Sequence, residues 1–406
     1  MNSKTFARIC IYFIVSIIAL AGGAFGWIYK TLPYDEELVH DENEVYFSLN
    51  GNSEVKLATS VTPSENSVSV HFLELGNKYT GDCTYIKVGE DIDILIDCGS
   101  KSSSISHVSN YLNQYITDNT IEYVFVTHAH QDHYAGFATT TKIKSIFDLY
   151  YCNNIIISNT TQARKDSSQY KNFARELDEA KAKFDRASDT LSKPNIYTSL
   201  DCITTAGLDS FQLTDNVSID ILETKYYSSP APKDEENENS VCIMFNHGEK
   251  HFLFTGDLEA EGEASLVSLN TLPKVDLVKA GHHGSKTSSS ITLLDAVMKT
   301  DKSTIVCVCC CAGSSEYSSN LENQFPTKQF IDRISQYTLY VYVTTMCINY
   351  KNNEFTSLNG NIAVISTADN NLNLYCSNNT TPLKDSEWFK TNRYEMCKDS
   401  MHESWK

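Results

Sequence analysis

The chain has 406 residues, 41% hydrophobic and 21% charged, which is enough apolar sequence for one large core or two ordinary ones. That composition excludes disordered, collagenous and disulfide-knotted classes, and a single long apolar stretch excludes a multi-pass membrane protein. The formal charge is −18; residues 1–30 carry Lys4, Arg8 and Lys30 and no acid, so the remainder carries −21, a poor match for polyanions or anionic lipid.

In chain order, Ile9–Tyr29 is uncharged and long enough to cross a bilayer core of about 30 Å. Basic residues precede it, and Asp35, Glu36 and Glu37 follow, which predicts a signal anchor with the body outside the cytoplasm. Ala19-Leu20-Ala21 offers a cleavage site, but the apolar run continues to Trp27 and Tyr29, which favours a retained anchor (residues 1–30). Residues 31–66 are polar and read as a linker. From 67 to 367, short apolar runs (VSVHFLEL, CTYIKV, DILIDCG, EYVFVTH, NNIIIS, VSIDILE, VCIMFN, HFLFTGD, VDLVKAG, TIVCVCC, LYVYVTT, NIAVIS) read as strands. Helices fit near 104–117, 168–189, 259–269, 288–299 and 327–337. Early and late strand groups, each with helices, predict a layered α/β fold with two packed sheets. The charged 168–189 stretch reads as a solvated helix on the active-site side. Residues 368–406 read as a polar tail whose Trp388, Phe389 and Trp405 pack back on the body.

Of thirteen cysteines, Cys307, Cys309, Cys310 and Cys311 occupy one apolar strand, where alternate residues point to opposite faces. They read as small core thiols, not as a tetrahedral metal site. Cys376 and Cys397 are a candidate bridge.

The chemistry concentrates in VFVTHAHQDHYAG. His128 and His130, two apart at a strand end, leave the same face, and Asp132 and His133 follow in the turn. Three imidazoles and a carboxylate in six residues suit a divalent metal. Asp257 ends the strand of HFLFTGD, and His282 and His283 end that of VDLVKAGHHGS, so all would meet on one rim. Asp257 can bridge two ions.

H-A-H-Q-D-H, then T-G-D, then H-H-G-S resembles the metallo-β-lactamase superfamily, and within it the hydrolase domain of ComEC-type competence proteins and the phosphorylcholine esterase. GDCTYIKV with DILIDCGS resembles the family's opening hairpin and Asp-x-Gly turn, and NENSVCIMF its Asn-x-x-Ser strand. The resemblance spans about 67–367. It implies a four-layer αββα sandwich (metallo-β-lactamase-like), here behind the N-terminal transmembrane helix, and hydrolysis at a site with two divalent ions, usually zinc, with manganese as the alternative. It assigns His128 and His130 to one ion, Asp132 and His133 to the other, Asp257 as bridge and His283 as a further ligand. Asp132 would also orient the attacking water, and His282 would stand beside the leaving group.

Two departures matter. Lactamases of this superfamily supply another His before the bridging Asp, and this chain has none from Tyr134 to Asn246. His247 and His251 sit at the wrong end of their hairpin and read as surface residues. The branch's late Asn-x-Tyr-x-His-Pro loop has Asn323-Gln324-Phe325-Pro326 as its nearest match, without the His. Hairpin geometry brings Asn239 and Ser240 to the Asp257 end as candidate substrate groups. Ser285, Thr287 and Ser288 can cap the following helix, with Ser285 also a candidate substrate group, and Lys279 and Lys286 are candidate phosphate neighbours. The expectation is a membrane-anchored hydrolase of a small phosphorylated or cell-surface phosphoester or phosphodiester. The rivals are an extracellular ComEC-like nuclease, which the acidic body disfavours, and a non-catalytic metal-binding module.

Overall fold

The structure is a computed structural model. It describes residues 48–49, 53–58, 60–61, 64, 66–139, 143–186, 194–369 and 371–406. The expected anchor, Ile9–Tyr29, lies outside these. Among the described residues no helix is long and apolar enough to cross a membrane.

All twelve expected strands form, within two sheets. In the first, Val68–Phe72, Thr84–Val88 and Ile92–Ile96 are an antiparallel meander. Thr120–Val126, Tyr151–Ile157 and Asn195–Thr198 then add in parallel. In the second, Val217–Leu222, Cys242–His247 and Lys250–Phe254 are antiparallel, and Leu277–Lys279, Ile305–Ala312 and Val341–Asn349 continue in parallel. Period-two alternation explains the packing. Val68, Val70 and Phe72 enter a core shared with Ile219, Phe245 and Phe252 of the opposite sheet. Each such side chain contributes about 1.5–3 kcal/mol by leaving water. The outer face of the first sheet packs helices around Val108, Leu112 and Phe147, and that of the second packs Leu266, Leu294 and Phe330.

Several expectations change. The proposed linker 31–66 contains a strand, Ser53–Leu57, parallel to Leu372–Cys376, and the latter pairs with Ile362–Ser366. The boundary at 367 therefore falls inside a hairpin. The C-terminal stretch packs on the body as expected: Trp388, Phe389 and Trp405 are buried against the second sheet, together with Cys397 and Met401. Cys376 and Cys397 sit in different cores and both are free thiols, so they form no bridge. The helix Ser168–Arg186 is anchored, because Phe173, Leu177 and Ala180 recur at helical spacing and bury against the first sheet.

Candidate metal centre

The parallel strands decide where the site forms. Ile92–Ile96 leads into Asp97, Thr120–Val126 into the histidine loop, Lys250–Phe254 into Asp257, Leu277–Lys279 into His282 and His283, and Ile305–Ala312 into Tyr317. Loops at carboxyl ends of parallel strands are where α/β proteins gather functional groups. The sheets are tied together at this rim, with Val241 N–H donating to Thr127 O at 2.8 Å. Close backbone contact fixes the loops. A Cβ on Gly99 would lie 1.7 Å from Asp132 O, and Gly256 turns with φ +56° where a Cβ would meet Ser240 Oγ at 2.9 Å.

His128 and His130 converge through the loop. The strand ends at Val126, so alternation along a strand does not align them. Their Nε2 and Nδ1 atoms lie 3.0 Å apart. Glu236 supports this loop: its carboxylate accepts from Ala129 N at 3.3 Å and from Thr160 Oγ1 at 2.7 Å, with Arg164 Nε at 3.5 Å. Burial, with His133 and His130 nearby, holds His128 neutral, well below its usual range.

His133, His283, Asp132 and Asp257 form the centre. His133 Nε2 lies 3.0 Å from Asp257 Oδ2 and 3.3 Å from His283 Nε2. His283 Nε2 lies 3.4 Å from Asp257 Oδ2 and 3.5 Å from Asp132 Oδ2. Four donors tetrahedrally placed about 2.1 Å from an ion would be about 3.4 Å apart. The tautomers agree. His133 Nδ1 faces the Asp97 carboxylate at 2.7 Å and His283 Nδ1 faces Cys309 O at 2.9 Å. Both partners only accept, so each Nδ1 carries the proton and each Nε2 presents a lone pair. Two lone pairs 3.3 Å apart need a proton or a cation between them. Asp257 Oδ1, buried, has no hydrogen-bond donor. Burial opposes a charged His133, yet Asp257, Asp97 and Asp82 outweigh it and push this imidazole up to about 10. A divalent cation would compete for the same lone pairs. The donor set fits such an ion.

Asp82 joins His133, Asp257 and His283 in a buried quartet whose ligand atoms lie within 4.8 Å. It approaches both imidazoles from Nδ1, at 3.6 and 3.2 Å, and pairs with Lys279. Asp82 therefore backs the centre. Lys279 is correspondingly no open phosphate neighbour: it is buried, donates to Gly256 O at 3.1 Å and lies 3.6 Å from Asp257 Oδ1. Burial lowers a lysine's pKa, but Asp82 and Asp257 raise this one.

His282 and His283 both hold left-handed φ, +48° and +56°, a conformation that costs a non-glycine residue free energy. The turn splits them: His283 is fully buried, while the His282 side chain stays 21% exposed, its Nε2 3.7 Å from Asp257 Oδ2. His282 Nδ1 is held by Thr287 Oγ1 at 3.2 Å, with Glu259 Oε1 at 3.5 Å.

The candidate substrate groups separate. Ser240 Oγ accepts from Asp257 N at 3.1 Å and lies 3.5 Å from His128 Nδ1, so it braces the Asp257 and His128 loops. Asn239 is buried and turned toward Ala231 and Glu236. Ser285 is buried in its own turn against Thr287. Ser290, not Ser285, Thr287 or Ser288, caps the helix Ile291–Val297. Lys286 is exposed beside Asn323. Phe325 reaches the centre, its ring 5.7 Å from those of His282 and His283. His247 is at the far end, as hairpin pairing requires, but it is buried against Ser366 Oγ at 2.8 Å. His251 is half-buried, bound to Asn246 at 2.7 Å.

Sequence reasoning did not single out Asp82, Asp97, Glu236 or Tyr317. Asp82 and Asp97 lie in the hairpin and Asp-x-Gly turn of the resemblance, which marked the segment without giving either residue a role. Nothing local marked Glu236 or Tyr317.

The Metallo-beta-lactamase superfamily profile matches residues 76–146. Over those residues the chain is similar to a metallo-β-lactamase superfamily domain. The chain is 44% identical over 62 residues to Recombination protein 2 of Haemophilus influenzae and 36% identical over 76 residues to ComE operon protein 3 of Bacillus subtilis, as the ComEC-type motifs implied. Those matches cover 15% and 17% of this chain but only 8% and 10% of the relatives. A long form RNase Z from yeast aligns over 78% of this chain and 41% of its own, at 10% identity and TM-score 0.38. Metallo-β-lactamase SMB-1 aligns over 56% and 81%, at 16% identity and TM-score 0.31.

Proposed function

We propose that this metal-dependent hydrolase cleaves a small phosphoester or phosphodiester, from an αββα domain held outside the cytoplasm by the N-terminal segment. The observation that carries the chemistry is the pair of Nε2 lone pairs, His133 and His283, facing Asp257 and Asp132 within 3.0–3.5 Å. His128 and His130 would hold one ion, Asp132, His133 and His283 the other, with Asp257 between them; zinc is the first candidate and manganese the second. Bound cations would supply a lowered pKa for water and would offset charge on phosphoryl oxygens. Asp97 and Thr127 fix the His133 ring, and Cys309 O fixes His283. Asp132 orients the attacking water. His282, partly exposed and braced by Thr287, assists protonation of the leaving oxygen.

A ComEC-like nuclease is the second reading. One feature favours it: Lys78 Nζ lies 4.1 Å from the Tyr350 ring centre and Lys101 Nζ 4.6 Å from that of Tyr79, an aromatic and basic patch of the kind that binds single strands. The net charge of −18 opposes it. The test is turnover of bis-p-nitrophenyl phosphate with Zn²⁺ or Mn²⁺, beside DNA binding against salt. Small-diester turnover with at most one or two phosphates neutralised supports the first reading. A log–log slope steeper than about −4 with rapid DNA cleavage puts the nuclease first. Bound metal without turnover of either substrate leaves a binding module.

A further inference from the structure

We infer that Tyr317 is a substrate-binding residue at the mouth of this centre, donating its phenol proton to a non-bridging oxygen of the phosphoryl group. This rests on the phosphoester reading above. Tyr317 follows the strand Ile305–Ala312 on a turn held at several points. Ser314 N donates to Cys311 O at 3.0 Å, Gly313 N donates to Phe325 O at 2.8 Å, and the neighbouring Glu316 accepts from Thr80 N at 2.9 Å. Its ring lies 5.6 Å from that of Phe325, which in turn packs on His282 and His283. The hydroxyl donates to Asp132 Oδ2 at 2.8 Å, the oxygen that lies 3.5 Å from His283 Nε2. The phenol is thus one hydrogen bond from the donors that face the centre.

Exposure shows which side is open. His133 and His283 are fully buried, whereas Tyr317 is 56% exposed. A ligand entering from solvent therefore meets this residue ahead of the histidines. The nearby lysines are already engaged: Lys279 lies beneath with Asp82 and Asp257, and Lys101 lies on Glu316 and Tyr79. A hydroxyl donor is what the open side offers. With the Asp132 charge offset by a bound cation, an arriving phosphoryl oxygen would be the stronger acceptor for the Tyr317 hydroxyl. The exposed ring and Phe325 leave room for an apolar or flat group beside it.

The test is Tyr317→Phe in the metal-loaded full chain, which keeps the ring on Phe325 and removes only the hydroxyl. Three quantities are read: bound metal per chain, affinity for orthovanadate, and kcat/KM across aryl phosphodiesters of graded leaving-group pKa. The expected result is unchanged metal, a loss of kcat/KM of about 100-fold that is uniform across the series, and a parallel loss of vanadate affinity. His282→Gln should instead lose most with the poorest leaving groups. Loss of metal in the Phe variant would make Tyr317 a support for Asp132 and overturn the assignment, as would unchanged vanadate affinity. A wild-type chain that turns over no phosphodiester removes the phosphoester reading and this assignment together. Turnover that Tyr317→Phe leaves intact removes the assignment alone.

Discussion

His133 donates from Nδ1 to Asp97 Oδ2 at 2.7 Å, and the same oxygen receives the Thr127 hydroxyl at 2.7 Å. Asp97 itself sits at φ +59°, a conformation held by its surroundings and not by local preference. The pair fixes which histidine nitrogen faces the centre. Asp97→Asn should therefore lower metal affinity about 10- to 100-fold while the fold survives. Metal titration of the variant checks this, and undiminished affinity would show that the Asp97 charge is dispensable.

Asp257→Ala should abolish turnover and lower bound metal, because Asp257 Oδ2 approaches His133, His282 and His283 at once. His247→Ala should leave metal content unchanged, since its imidazole is engaged with Ser366 away from the centre. Its cost is stability, of order 1–2 kcal/mol for a lost buried hydrogen bond. Metal analysis of both variants decides: loss in His247→Ala with retention in Asp257→Ala would overturn the assigned bridge.

His71 is buried against Tyr85, Tyr111 and Tyr115, with its nitrogens bonded to Tyr111 and Ser69 at 2.8 Å. Burial drops its pKa to about 3. The neutral form is the folded form, so its contribution is intact above the unfolded pKa of about 6.5 and is lost as pH falls from there toward about 3. Between pH 7 and pH 5 the loss from this one group is about 2 kcal/mol. Denaturant unfolding at the two pH values should show a difference smaller by that amount in His71→Gln. An identical difference would mean that His71 titrates alike in the folded and unfolded chains, so that burial does not hold it neutral.

The charge asymmetry around Ile9–Tyr29 predicts that protease added to intact cells digests the region after Lys30. Protection until lysis would reverse the proposed orientation.

The sequence alone determined the twelve strands, because alternating apolar residues have one buried arrangement on a pleated sheet. It also exposed the ligand types, because His-x-His-x-Asp-His concentrates metal donors within a few residues. It placed Asp257 at the far end of its hairpin from His247, because strand rise is fixed. Tertiary structure decided the rest. Polar composition made 31–66 look like a linker and placed the domain boundary at 367, yet Ser53–Leu57 and Leu372–Cys376 satisfy backbone groups in each other, a pairing with no local signal. Asn239 and Ser240 are adjacent in sequence, but only Ser240 meets Asp257 and His128, since one turn sends neighbouring side chains apart. The roles of Asp82 and Asp97 depend on the imidazole nitrogen each approaches, and that of Lys279 on its pairing with Asp82 and Asp257. Tyr317 comes to Asp132 from 185 residues away. Such contacts are set by how the two sheets pack, and a linear pattern does not carry that information.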